Sequence, residues 1–202
     1  MLDERFMYAA VLLIVWGAYS YIKDMFRSDT KPNLVTWFLW SLAPMIAFAA
    51  QLQADVGPAA FLTLMVGLCP LAVFIAGLRK GDFRPSRFDL LCGAASIVAL
   101  VLWQLTGNGA LAVMLSIAAD GLAATPTLVK AYKDPDSESP FLFILFAISA
   151  AVTLLTLNAW SLEAAGFSAY ILVLYATLFV FVKFELGLSQ STELQTEPST
   201  KQ

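Results

Sequence analysis

Seven stretches of about 17–25 apolar residues, each long enough to cross ~30 Å of hydrocarbon as a helix, follow one another along the chain with short polar breaks between them. They fall at 6–22, 34–53, 58–78, 88–105, 109–130, 141–159 and 164–183. A segment that leaves water has to satisfy its backbone hydrogen bonds internally, which admits helices or a closed barrel. These runs are continuously apolar instead of alternating, so helices are expected. Only 13 % of the residues are charged and 59 % are hydrophobic, whereas an ordinary soluble domain carries about 25 % charged residues. The expected class is an all-α integral membrane protein with seven transmembrane helices.

The first run opens with "MLDERF", which is acidic where a signal peptide is basic, and "YIKDMFR" follows it in place of a small-residue cleavage site. It is expected to stay as a helix. Of the twelve lysines and arginines, all but Arg5 follow helices 1, 3, 5 and 7, from Lys23 to Lys201. The positive-inside rule then predicts an N-terminus outside and a C-terminus in the cytoplasm, in a bacterial cytoplasmic (inner) membrane. The polar end "SQSTELQTEPSTKQ" predicts a disordered cytoplasmic tail over 187–202.

Composition also excludes whole classes of function. Histidine is absent, which removes the commonest transition-metal ligand and the usual neutral-pH general base. Cys69 and Cys92 fall inside apolar runs and read as small buried hydrophobes. A net charge of −3 without a basic stripe speaks against nucleic acid. No paired carboxylates, metal cluster, nucleophile with a base or phosphate loop can be found, so neither an enzyme nor a bound cofactor or metal is expected. Seven helices ending in one that holds Lys183 suggest a retinal protein, but that lysine comes at the cytoplasmic end of its run, where it should snorkel.

Two segments share a frame. "KPNLVTWFLWSLA" and "SPFLFILFAISAA" match at Pro32, Leu34, Phe38, Ser41 and Ala43 against Pro140, Leu142, Phe146, Ser149 and Ala151, at a constant offset of 108. Upstream, Lys23 pairs with Lys130 at an offset of 107. Each copy reads as a helix, a basic turn, a proline-led helix, a short outer loop and a third helix. The expected organisation is a three-helix repeat over 6–80, a linker helix over 88–106 and a second three-helix repeat over 109–186. The lone linker restores direction, so the repeats run parallel about an axis along the membrane normal. Parallel repeats are a recurrent transporter plan, with the site near the midplane between the halves.

This three-plus-one-plus-three arrangement resembles the SWEET and PQ-loop superfamily of small-solute transporters. "PTLVKAYKDPDSES" is similar to the family's proline–glutamine signature, with Pro126 on the proline and Thr127 where glutamine is usual. In the first copy Tyr19 and Ser20 occupy the pair. Sugar-carrying members resemble one another in an asparagine on the third helix of each unit, and neither 58–78 nor 164–183 contains one, so the resemblance does not carry a sugar over. "TWFLW" is weakly similar to the tryptophan-rich walls of vitamin carriers related to PnuC, which share the architecture. The resemblance implies alternating access by a carrier of a small polar or amphipathic solute. The alternative is a receptor, chaperone or scaffold on the same fold, since fold does not fix function. The expected partners are the solute and the lipid bilayer, with a homo-oligomer left open.

Asp120 is the one acid well inside a run. Ten residues at ~1.5 Å each put it roughly 15 Å from Lys130, near the middle of the bilayer. A central aspartate costs about 2.5 to 3.5 kcal/mol to insert, so it should face the bundle interior or a wet cavity. It reads as a substrate ligand or proton-coupling site, or else as a structural acid bonded to Ser116 or a neighbouring helix. Pro44 and Pro126 each remove a donor and crowd the carbonyl four residues earlier, Trp40 and Leu122 respectively, which makes them hinges or ordinary kinks. Pro70 is similar. Trp37 and Trp40, with Ser41 beside them, share a helical face by their spacing of three. They are either a wall that stacks on a planar solute or an interfacial belt, and Trp16 is a weaker member of the same wall. Tyr19, Ser20 and Thr127 offer hydroxyls at equivalent places in the two units, for a solute or as glue between helices.

Overall fold

The computed structural model describes residues 6–53, 58–81, 83–106, 108–157 and 160–186. Within them lie α1 (Phe6–Arg27), α2 (Leu34–Gln53), α3 (Pro58–Lys80), α4 (Arg87–Leu105), α5 (Gly109–Lys133), α6 (Pro140–Thr156) and α7 (Leu162–Phe184), with a single 3-10 turn at Pro135–Ser137. No strand occurs among the described residues. The expected tail over 187–202 and the last two residues of the sixth run, 158–159, lie outside them.

Helix boundaries follow the apolar runs except where charged residues can extend them. α1 continues past residue 22 to Arg27 and α5 past 130 to Lys133. Lys23, Arg27 and Lys133 are exposed there, because a long basic side chain reaches water while its stem stays beside apolar neighbours. Polar residues fix other ends. Ser86 and Asp89 form a reciprocal capping box at the start of α4, and Asn108 and Ser161 cap α5 and α7. Pro140 opens α6, where its missing N–H costs no helical bond.

Among the described residues, four helical segments are long and apolar enough to cross a membrane: Tyr8–Arg27, Arg87–Leu105, Val113–Lys133 and Ala164–Phe184. Leu34–Met45 and Pro140–Thr156 are shorter apolar helices. Large apolar side chains face outwards, Leu12 at 68 % exposure and Leu91 at 70 % among them. An apolar exterior on apolar helices is consistent with an integral membrane protein.

α3 packs against both α1 and α2, and α7 packs in the same way against α5 and α6. Across the middle, α1 meets α6 and α2 meets α5, while α4 lies against α5 and α2. The turns after α1, α3 and α5 gather at one end of the bundle. Lys80 Nζ donates to the Thr30 carbonyl at 3.2 Å, Asn33 Nδ2 to Asp89 Oδ1 at 3.0 Å and the Lys31 N–H to the Ser137 carbonyl at 2.8 Å. The end of α7 joins them through Phe181, whose ring lies 5.4 Å from that of Tyr132. This is the basic end. Pro44, Pro70 and Pro126 lie inside α2, α3 and α5, and each helix continues through its proline. Gly67 lets α3 approach the Pro44 turn, since a Cβ there would stand 3.0 Å from Met45 Sδ and 3.2 Å from Pro44 Cβ.

Candidate functional site

In the half of the bundle away from the basic end lies a cavity of about 450 Å³ that is open, not enclosed. Every helix contributes to it: Ile14 of α1, Trp40 and Pro44 of α2, Pro70 of α3, Trp103 of α4, Asp120 of α5, Phe146 and Ser149 of α6, and Ile171 and Tyr175 of α7. The lining is mostly apolar, and Asp120 is its one carboxylate among the described residues. Ser116, Ser149, Thr153 and Ser168 supply hydroxyls. The Tyr170 hydroxyl, on α7, donates to Asp120 Oδ2 at 2.9 Å. Of the partners expected for a structural acid, the neighbouring helix supplies this one, while Ser116 Oγ donates to its own helix at the Val113 carbonyl, 2.9 Å away.

Below the cavity, aromatic rings fill the bundle. Tyr175 lies 4.9 Å from Phe146 and 5.5 Å from Trp40, Trp40 lies 5.3 Å from Trp37 at 81°, and Trp37 lies 5.0 Å from Tyr21. The Tyr175–Phe146 and Trp37–Trp40 pairs are edge-on and the other two tilted, and aromatic pairs contribute about 0.5–1.5 kcal/mol each beyond the area they bury. The two indole N–H groups stay outside hydrogen-bond geometry, that of Trp40 near the Asp120 carboxylate and that of Trp37 near the Tyr21 hydroxyl.

Beneath this floor the basic end is closed by polar bonds between helices far apart in sequence. Glu138, buried in the turn before α6, accepts from the Tyr21 hydroxyl and pairs with Lys130 Nζ at 2.6 Å. Lys130 also donates to the Lys31 carbonyl, and Ser139 Oγ donates to Asp24 Oδ2 at 2.6 Å. One layer further in, Thr127 Oγ1 donates to Thr36 Oγ1 at 3.0 Å, and Thr36 donates to the Ala123 carbonyl at 2.7 Å. Pro126 loosens this turn of α5, and a carbonyl in it takes a donor from α2.

The residues expected from sequence divide between these layers. Asp120, Trp40 and Pro44 line the cavity, as does Pro70. Trp37 is fully buried in the floor, and Thr127 is fully buried in the closed end. Ser41 is buried but turns its hydroxyl back to the Phe38 carbonyl at 2.6 Å. Pro126 lies beside the basic end, outside the cavity lining. Tyr19, at 66 % exposure, faces outwards, and Trp16 packs edge-on against Phe141 on the outer surface. Ser20 is half-buried outside the cavity lining, and Lys183 is exposed at the end of α7.

Sequence reasoning missed Tyr170, Tyr175, Tyr21, Thr36 and Glu138. Glu138 stands in "KDPDSES", where three acids share a polar turn and each looks solvated. Comparison with known proteins returns no match among family models, curated proteins or solved structures.

Proposed function

We propose that the chain is a membrane transporter organised like the SWEET and PQ-loop carriers, with residues 6–80 and 109–186 as equivalent three-helix units and the helix within 88–106 as their linker. The N-terminus lies outside and the basic end in the cytoplasm. The third helix of each triplet packs on the other two, and α1 with α6 answers α2 with α5, which is what a two-fold relation between the units requires. The lysine and arginine bias supports the orientation.

The carrying observation is the cavity itself, which reaches Asp120 from one side while bonds between the units, Tyr21 to Glu138, Ser139 to Asp24 and Thr127 to Thr36, close the other. That asymmetry is what one half-cycle of alternating access looks like, with the site between two bundles that rock about it. A volume of about 450 Å³ suits a small molecule. Its walls suit a solute with an apolar or planar body, and Asp120 suits a group that donates a hydrogen bond or carries positive charge. Asp120 is proposed to hold the solute and to couple its movement to a proton. Pro44 and Pro70 flex the cavity wall, and Pro126 flexes the closed end.

Thermal-shift screening of the purified protein against sugars, polyols, amino acids and vitamins selects the solute for uptake into proteoliposomes. Wild-type protein is expected to take up a stabilising solute with a rate that depends on pH, and Asp120→Asn, which keeps an acceptor for Tyr170, is expected to abolish that dependence. Unchanged kinetics across pH in Asp120→Asn removes the residue from the mechanism. Stabilisation without uptake makes the protein a receptor or scaffold on this fold.

A further inference from the structure

A second pocket, of about 500 Å³, opens at the basic end where the start of α2, the turn before α4, the start of α4 and the end of α5 meet. Three basic side chains line it: Arg84, Lys130 and Lys133. Lys130 is taken up by Glu138. Arg84 and Lys133 are exposed and have no ion pair among the described residues. Among the described residues the one acid in the lining, Asp89, is already engaged, accepting from Asn33 Nδ2 at 3.0 Å and from the Ser86 N–H at 2.6 Å. Two unneutralised positive charges therefore face one concave site.

The pocket runs on into an apolar groove of about 430 Å³, because Leu34, Val35 and Phe83 line both. The groove lies between α2 and α4, passing Phe38, Leu90 and Ala94 to Ile97, and among the described residues its lining holds no charged side chain. From Asp89 to Ile97 the helix rises about 12 Å, most of one leaflet of a ~30 Å hydrocarbon core. Gly93 keeps it narrow and close to α2, since a Cβ there would stand 3.1 Å from Val35 Cγ1. A charged mouth at the level of the helix ends, joined to an oily trough directed towards the membrane middle, has the polarity profile of a phospholipid.

We propose that Arg84 and Lys133 bind the phosphate of an anionic phospholipid whose acyl chain lies in the groove between α2 and α4. Arginine presents a planar fork to phosphate oxygens and lysine a point charge, and basic pockets between membrane helices on the cytoplasmic side take anionic headgroups. The site needs the membrane setting but not transport, so its failure leaves the Asp120 test untouched.

Lipid titration of the detergent-purified protein, read by native mass spectrometry, tests it with phosphatidylglycerol, phosphatidylcholine and inorganic phosphate. Wild-type protein is expected to prefer phosphatidylglycerol over phosphatidylcholine and to bind phosphate alone far more weakly. The double variant Arg84→Ala/Lys133→Ala is expected to lose about 30-fold in affinity for phosphatidylglycerol, from about 1 kcal/mol per basic side chain, and with it the preference. Ala94→Trp, at an exposed groove position, is expected to weaken both lipids and keep the preference. Equal binding of the two lipids by wild type, a preference that survives the double variant, or phosphate binding as tightly as the lipid overturns the proposal. So does an equal loss from Arg87→Ala, a basic neighbour outside the lining, because the attraction would then belong to the whole basic surface.

Discussion

At the basic end, helices from both halves of the chain are tied by directed polar bonds: Tyr21 to Glu138, Lys130 to the Lys31 carbonyl, Ser139 to Asp24, Thr127 to Thr36. In the opposite half, among the described residues, Ser96 donates to the Ala119 carbonyl and Tyr170 to Asp120, and neither bond joins the first triplet to the second. The cavity opens in that half. The difference teaches where the bundle can part. A half held mainly by contact between apolar side chains separates at little local cost when solute or lipid replaces those contacts, whereas a half held by buried hydrogen bonds loses them all at once. In the proposed transport cycle the closed end is the latch and the cavity end the mouth.

Breaking the latch should have the largest effect. Glu138→Ala leaves the Lys130 ammonium and the Tyr21 hydroxyl without their carboxylate in a site where the Glu138 side chain is 0 % exposed. Removing one partner of a buried pair costs about 3–5 kcal/mol. Lys130 keeps the Lys31 and Ser137 carbonyls, so a loss near 3 kcal/mol is expected in denaturant unfolding of the detergent-solubilised protein. A loss below 1 kcal/mol would show that the two ends are held alike. Thr127→Val tests the next layer more gently. Thr36 keeps its bond to the Ala123 carbonyl, so about 1 kcal/mol is expected from the one hydroxyl removed, measured in the same unfolding experiment.

The layered contrast was only partly legible in the sequence. Helices could be read closely because a continuous apolar run is a one-dimensional signal that needs no knowledge of neighbours. The departures, α1 reaching Arg27 and α5 reaching Lys133, came where charged residues lengthen a helix beyond the hydrocarbon. Asp120 was legible because a lone acid in an oily run is costly unless something faces it. Its partner Tyr170 was not, since a tyrosine in a membrane helix carries no comparable penalty to mark it out. Glu138 was hidden for the converse reason. Its burial is created by Tyr21, 117 residues earlier in the chain, and no local pattern encodes that meeting. Phe38 and Phe146, paired by the repeat, face different surroundings, one the groove beside α4 and the other the cavity. Positions matched between two similar sequence segments need not keep equivalent surfaces.

The smallest expected effect falls on Tyr19, which with Ser20 occupies the first unit's signature pair in the resemblance, Tyr19 answering Pro126 and Ser20 answering Thr127. Two positions along a helix are about 200° apart, so Tyr19 and Tyr21 point to nearly opposite sides. Tyr21 takes the interior and bonds to Glu138, while Tyr19 is left facing outwards. Tyr19→Ala is therefore expected to change stability by less than about 0.5 kcal/mol and to leave uptake of the stabilising solute unaltered in proteoliposomes. If uptake falls in Tyr19→Ala while stability holds, the outward face of α1 moves into the pathway during the cycle. The first unit would then contribute to the site from a side that is closed in this conformation, and the mouth would have to form on both sides of α1 in turn.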